Sequence, residues 1–169
     1  MSAKFEQLQS PFEPKDIEWR VQVAGKTGQD KLYAILVPYI TNRAIQQRLD
    51  DVLGVEGWYN EYQYPTEKSV ICGISIDVGG KWITKWDGAE ETHVEAVKGG
   101  LSSAMKRAAV QWGIGRYLYK LDSAIVTPQY DKPQSMDGWE MTKVKLDGRN
   151  ERIFYKIPTL PQWATPKGA

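Results

Sequence analysis

Two residue types that carry much of protein chemistry are nearly missing from this 169-residue chain, which has one cysteine, Cys72, and one histidine, His93. A single cysteine excludes an intramolecular disulfide framework, and one of each excludes a Cys/His zinc site within one chain. A charge excess of one sign is lacking too: 22 Lys and Arg face 21 Asp and Glu, for a net +1. The bulk charge therefore carries no signature of a nucleic-acid or membrane binder, and any polyanion site must come from cations gathered in space. No apolar run approaches the roughly 20 residues of a membrane span. Met1 to Asp16 shows neither an apolar signal core nor an Arg-rich transit pattern. Nucleotide motifs are absent as well. The GKTG segment at 25–28 shares residues with a phosphate loop but lacks its spacing and its following helix, and it reads as a turn. These absences leave a soluble, intracellular protein with no cofactor and room for one domain with a real core.

What is present is aromatic and alternating. Seven Trp and nine Tyr are enough to serve a core, an interface or a base-stacking surface. Residues 1–16, with Pro11 and Pro14, read as an irregular N-terminal arm. IEWRVQV (17–23) alternates as a half-buried strand, and KLYAILVPYI pairs with it as a hairpin. A helix follows, capped by Thr41 or Asn42, with Ile45, Leu49, Val52 and Leu53 on one face and Gly54 ending it. GWYNEYQY begins a strand. VICGISIDV places Val70, Cys72, Ile74, Ile76 and Val78 on one face, and the glycines at 79–80 turn it into KWITKWD. The spacing predicts a second helix over Thr92–Gln111, with Val94, Val97, Leu101, Met105, Ala108 and Trp112 on one stripe and Gly113 and Gly115 breaking it. A Pro-rich connector, a hairpin of Trp139–Leu146 with Arg152–Ile157 (together 127–157), and a loose tail (158–169) complete the chain. The class is α+β.

Catalytic groups are sparse. His93 sits in ETHVE and reads as a solvated or capping residue. Asp77, Asp87, Glu90 and Glu91 are the carboxylates a metal-dependent nuclease would need, but their spacing does not make a site, and acidic residues before a helix are favoured by its dipole. The cations say more. Lys106 and Arg107 stand together on the far side of the second helix from its apolar stripe, near Gly99, Ser103 and Val110. Small residues beside cations suit a phosphate backbone lying close to a helix. Arg43 lies in the first turn of the first helix, where free N–H groups already attract anions. In KWITKWD, Lys81 and Lys85 alternate with Trp82 and Trp86 and suggest a cationic ladder on one strand face.

YITNRAIQQRLDDVLGVEGW, then ICGISIDV, then VKGGLSSAMKRAAVQWGIGRYLY resemble the Rad-fifty-two superfamily of single-strand annealing proteins. The nearest likeness is to its phage Sak-like branch and that branch's bacterial DNA-damage-response relatives. The lead-in SPFEPKDIEWRVQ is similar to that branch as well, so the resemblance spans about residues 8–125. It implies a β-β-α lead-in joined to a β-β-β-α core, with an antiparallel sheet packed on a long helix and the annealing domain over 17–126. It implies subunits side by side in a ring, with single-stranded DNA in a groove, backbone inward and bases outward. The family's groove cations fall on Lys106 and Arg107, and its arginine near the first helix falls on Arg43. A third family cation falls on Val110, a departure for which Arg116 is the candidate substitute. Lys81, Lys85 and Lys98 are candidates for an outer DNA site by composition alone. The resemblance implies single-stranded DNA and further copies of the chain as partners, with a single-strand coat protein as a further candidate, no metal and no membrane. The family's long partner-binding tails have no counterpart in the sequence, which favours a minimal annealing protein over a mediator. The expected function is ATP-independent, non-enzymatic strand annealing in recombination or break repair. The alternative is a protein that protects single strands without annealing them.

Overall fold

The computed structural model describes residues 3–67, 69–90 and 96–166, with the side chains of residues 90 and 96–98 outside that description. His93, Glu91, Thr92 and Val94 lie outside the described residues, as do the side chains of Glu90, Val97 and Lys98. The protein is a mixed α+β structure of three α-helices and three antiparallel sheets among the described residues.

The first sheet is built on β1 (Ile17–Lys26) and β2 (Leu32–Ile40), with β6 (Ala124–Val126) added to β2's free edge. Alternation aims Trp19, Ala34 and Leu36 to one side, where Tyr155 covers them. Tyr155 comes from the late hairpin of β7 (Trp139–Leu146) and β8 (Arg149–Lys156), and its hydroxyl donates to the Trp19 carbonyl at 3.1 Å. The second strand of this hairpin begins at Arg149, earlier than the expected Arg152. Asp147 and Gly148 both take positive φ, 49° and 81°, so two residues suffice for the turn.

The second sheet has the order β3 (Trp58–Thr66), β4 (Ser69–Asp77), β5 (Trp82–Glu90). Val70, Cys72, Ile74 and Ile76 of β4 are buried against Ala104, Met105 and Ala108 of α3 (Ala96–Gln111) and against Trp112 just past its end. The Trp112 indole donates to the Ile74 carbonyl at 2.9 Å, which fixes the helix along the strand. α2 (Asn42–Leu53) closes the core with Ile45 and Leu49, its N-terminus capped by Thr41 and its end marked by Gly54 at φ 78°. Among the described residues no element covers the sheet's opposite face, where Tyr59, Trp82 and Trp86 are 43%, 46% and 37% exposed.

The lead-in is not irregular. Ala3–Gln9 form α1, Leu8 and Phe12 are buried, and Phe5 stacks on Trp112 at 6.0 Å between ring centroids. Arg48 holds it from α2, donating to the carbonyls of Gln7, Ser10 and Pro11 at 3.0, 2.8 and 3.2 Å with its guanidinium 3.9 Å over the Phe12 ring. The tail from Pro158 is also partly seated, since Leu160 packs on the core and Ala164 is buried.

Candidate nucleic-acid interface

Packing α3 on its sheet through Met105 and Ala108 leaves Ser103, Lys106 and Arg107 outside that core contact. The first sheet stands opposite, because Glu18, Arg20, Val37 and Tyr39 share the face of the β1–β2 hairpin away from Trp19 and Leu36. Between them lies an open cleft of about 460 Å³ lined by Arg20, Val37, Tyr39, Ser103, Lys106, Arg107 and Tyr119. Three cations from two distant stretches of the chain thus meet at one hollow.

The cations are held differently. Lys106 is half-buried, with its Nζ 4.4 Å from the centre of the Tyr39 ring, a cation–π contact. Burial pushes its pKa down, Glu18 partly opposes that, and Arg20 adds to it. The Tyr39 hydroxyl is pushed up to about 12 by burial and by its hydrogen bond to Glu18, so it stays protonated at neutral pH. Arg107 is exposed, and its Nε donates to Asp87 Oδ1 at 3.0 Å. Asp87 also accepts from Gln111 Nε2 at 2.9 Å and the Gly88 N–H at 2.8 Å. Burial raises the Asp87 pKa, but these hydrogen bonds and the Arg107 charge outweigh it and hold the carboxyl below its ordinary value. Because Arg107 is anchored through Nε, its two terminal nitrogens have no hydrogen-bond partner among the described residues. They are the donors suited to a phosphate.

The other sequence candidates lie elsewhere. Arg116 donates from Nε and Nη2 to the Val110 carbonyl at 2.9 and 2.6 Å, and from Nη2 to the Gln111 carbonyl at 2.8 Å. Lys85 donates to the same Gln111 carbonyl at 2.9 Å and sits 4.4 Å over Trp112. Both therefore cap the C-terminus of α3, where unpaired carbonyls attract cations, and neither lines the cleft. The ladder expected on β5 is accordingly not a free face, because Lys85 is turned toward α3. Lys81 precedes β5, in the turn where Asp77 accepts from the Gly80 N–H. Arg43 is exposed at the second position of α2, with no hydrogen bond or ion pair among the described residues, and does not line the cleft. Arg20, Tyr39 and Tyr119 were not singled out from the sequence. Arg20 alternates with Glu18 and Gln22 as any solvated strand face does, and only the packing of β1 and β2 across α3 brings it to Lys106. Among the described residues no three His, Cys, Asp or Glu side chains converge as metal ligands, and no helix is long and apolar enough to cross a membrane.

Comparison with known proteins agrees with the sequence resemblance. The sequence model of the Rad52/22 family of double-strand break repair proteins matches residues 2–140, from α1 into β7. The chain is 31% identical over 167 residues to the single-stranded DNA-binding protein DdrA of Deinococcus deserti, covering 94% of this chain and 68% of that protein. It is 31% identical over 167 residues to the protein of the same name from Deinococcus radiodurans, covering 94% of this chain and 66% of the relative. This chain thus spans about two thirds of each relative. No solved structure matches it significantly.

Proposed function

The chain belongs to the Rad52/22 family of double-strand break repair proteins, and from that premise we propose that it binds single-stranded DNA and anneals complementary strands without ATP. The observation that carries the reading is the convergence of Arg20, Lys106 and Arg107 on one open cleft in a chain of net charge +1. A single strand laid there has its phosphates neutralised locally. The reaction needs no covalent step, because base pairing supplies the free energy once the strand is extended and its base edges are free. Copies of the chain assemble side by side, in a ring with a β-β-α lead-in and a β-β-β-α core in each subunit, so that one weak site is repeated along one strand. The uncovered aromatic face of the second sheet supports such assembly, since exposed apolar patches of this kind mark contact surfaces. The protein acts in the cytoplasm of a bacterial or phage-infected cell, alongside a single-strand coat protein. Lys81 and Lys98 remain candidates for an outer DNA site and Arg43 for a further contact beyond the cleft, while Lys85 and Arg116 act through the helix end they cap.

The relatives' names state single-stranded DNA binding and nothing further, so binding without annealing is the second reading. Two dye-labelled complementary oligonucleotides, mixed without nucleotide or magnesium, separate the two. Pairing faster than the spontaneous rate is expected. Tight binding with slowed pairing would move the assignment to a protective coat.

A further inference from the structure

The cationic cleft does not end at its cations. Tyr119 forms a wall of it and also a wall of a second hollow, of about 320 Å³, lined by Val37, Pro38, Leu118, Tyr119, Leu121 and Ser123. Among the described residues this second hollow is lined by no charged side chain, and its polar side-chain groups are the hydroxyls of Ser123 and Tyr119. Tyr119 is 74% exposed, and its hydroxyl has no hydrogen-bond partner among the described residues.

The segment that carries the ring is held in place. It belongs to a short 3-10 helix, Arg116–Lys120, whose Leu118 is buried. Gly115 starts that helix at φ 69°, and a Cβ there would meet Ile40 Cδ1 at 2.6 Å. Arg116 ties its first turn to the last carbonyls of α3. The backbone that carries Tyr119 is thus held on the ridge between a cationic hollow and an apolar one.

We infer that Tyr119 is a stacking platform for a nucleobase, with the apolar hollow beside it receiving that base while Arg20, Lys106 and Arg107 hold the adjoining phosphates. This inference rests on the single-strand reading above. A nucleic-acid strand has the matching asymmetry, with anionic phosphates on one side and flat apolar-faced bases on the other. Stacking uses the face of the base and leaves its pairing edge free, so one anchored base per subunit is compatible with annealing by its neighbours.

The test compares two oligonucleotides of equal length, oligo-dT and the same backbone made abasic, by fluorescence anisotropy. Tyr119→Ala is expected to weaken oligo-dT binding about tenfold while leaving abasic binding and the salt slope of the wild type. Tyr119→Phe, which keeps the ring, is expected to bind like the wild type. Equal losses on both strands, or no loss on either, would overturn the platform. So would a change in assembled mass by light scattering that tracks the loss, because the ring would then be a subunit contact. If the unsubstituted protein binds neither strand, the single-strand reading itself fails, and that result is distinct from any of these.

Discussion

The cations around α3 divide into two groups that the sequence presents alike. At the helix end, Lys85 and Arg116 spend their donors on the carbonyls of Val110 and Gln111. Along the helix flank, Lys106 rests on an aromatic face and Arg107 is held through one nitrogen, so both keep donors turned to an open cleft. The first group stabilises the fold, and the second is available to a ligand. Position within a charge cluster decides neither; the partner each donor already has does.

Four experiments press on that division. The largest effect is expected from Arg20→Glu with Lys106→Glu, which puts two anions in the cleft and should lower single-strand affinity about a hundredfold or more at moderate salt with the fold retained by circular dichroism. Gly115→Ala comes next. It strains a left-handed position against Ile40 and should cost about 1–3 kcal/mol of stability, read as a lowered thermal midpoint. Lys85→Met removes a contact to the last carbonyl of α3 and should cost about 1 kcal/mol while single-strand affinity stays within about twofold. An affinity loss as large as that of the cleft variants would merge the two groups.

The smallest effect concerns pH. Burial depresses the Lys106 pKa below 10.5, and a bound phosphate favours its charged form. Affinity should therefore be full below the depressed pKa and decline as pH rises through it. Lys106→Arg, which does not titrate, should flatten that decline in an anisotropy titration across alkaline pH. For folding the sign is opposite. The unfolded chain binds the proton more readily, so the cost of burying the charge eases as pH rises.

Much of the fold was legible because the local signals agree with one another. Thr41 and Gly54 delimit α2, β4 alternates Val70 through Ile76, and α3 carries one apolar stripe ended by Gly113. The lead-in was not legible, although Phe5, Leu8 and Phe12 are spaced for a helix. Seven residues are too few to form one alone, and α1 depends on Arg48 and Trp112, both far away in sequence. Part of the candidate site was visible for the same reason. The pair Lys106–Arg107 sits opposite the stripe on its own helix, whereas Arg20, Tyr39 and Tyr119 join it only through the docking of a hairpin and a glycine-bounded turn. The cap role of Arg116 was hidden too, since a cation just past a helix end reads equally as a ligand contact until its carbonyl distances are known.

The most direct measurement of the central claim is the salt dependence of single-strand affinity for the protein and for Lys106→Ala with Arg107→Ala. If the two side chains neutralise phosphates, the double variant binds more weakly and the slope of log affinity against log salt becomes shallower by about 0.7 for each phosphate left without its cation. An unchanged affinity and an unchanged slope would mean that the cleft cations are ordinary surface charge, and that the strand, if it binds, lies elsewhere.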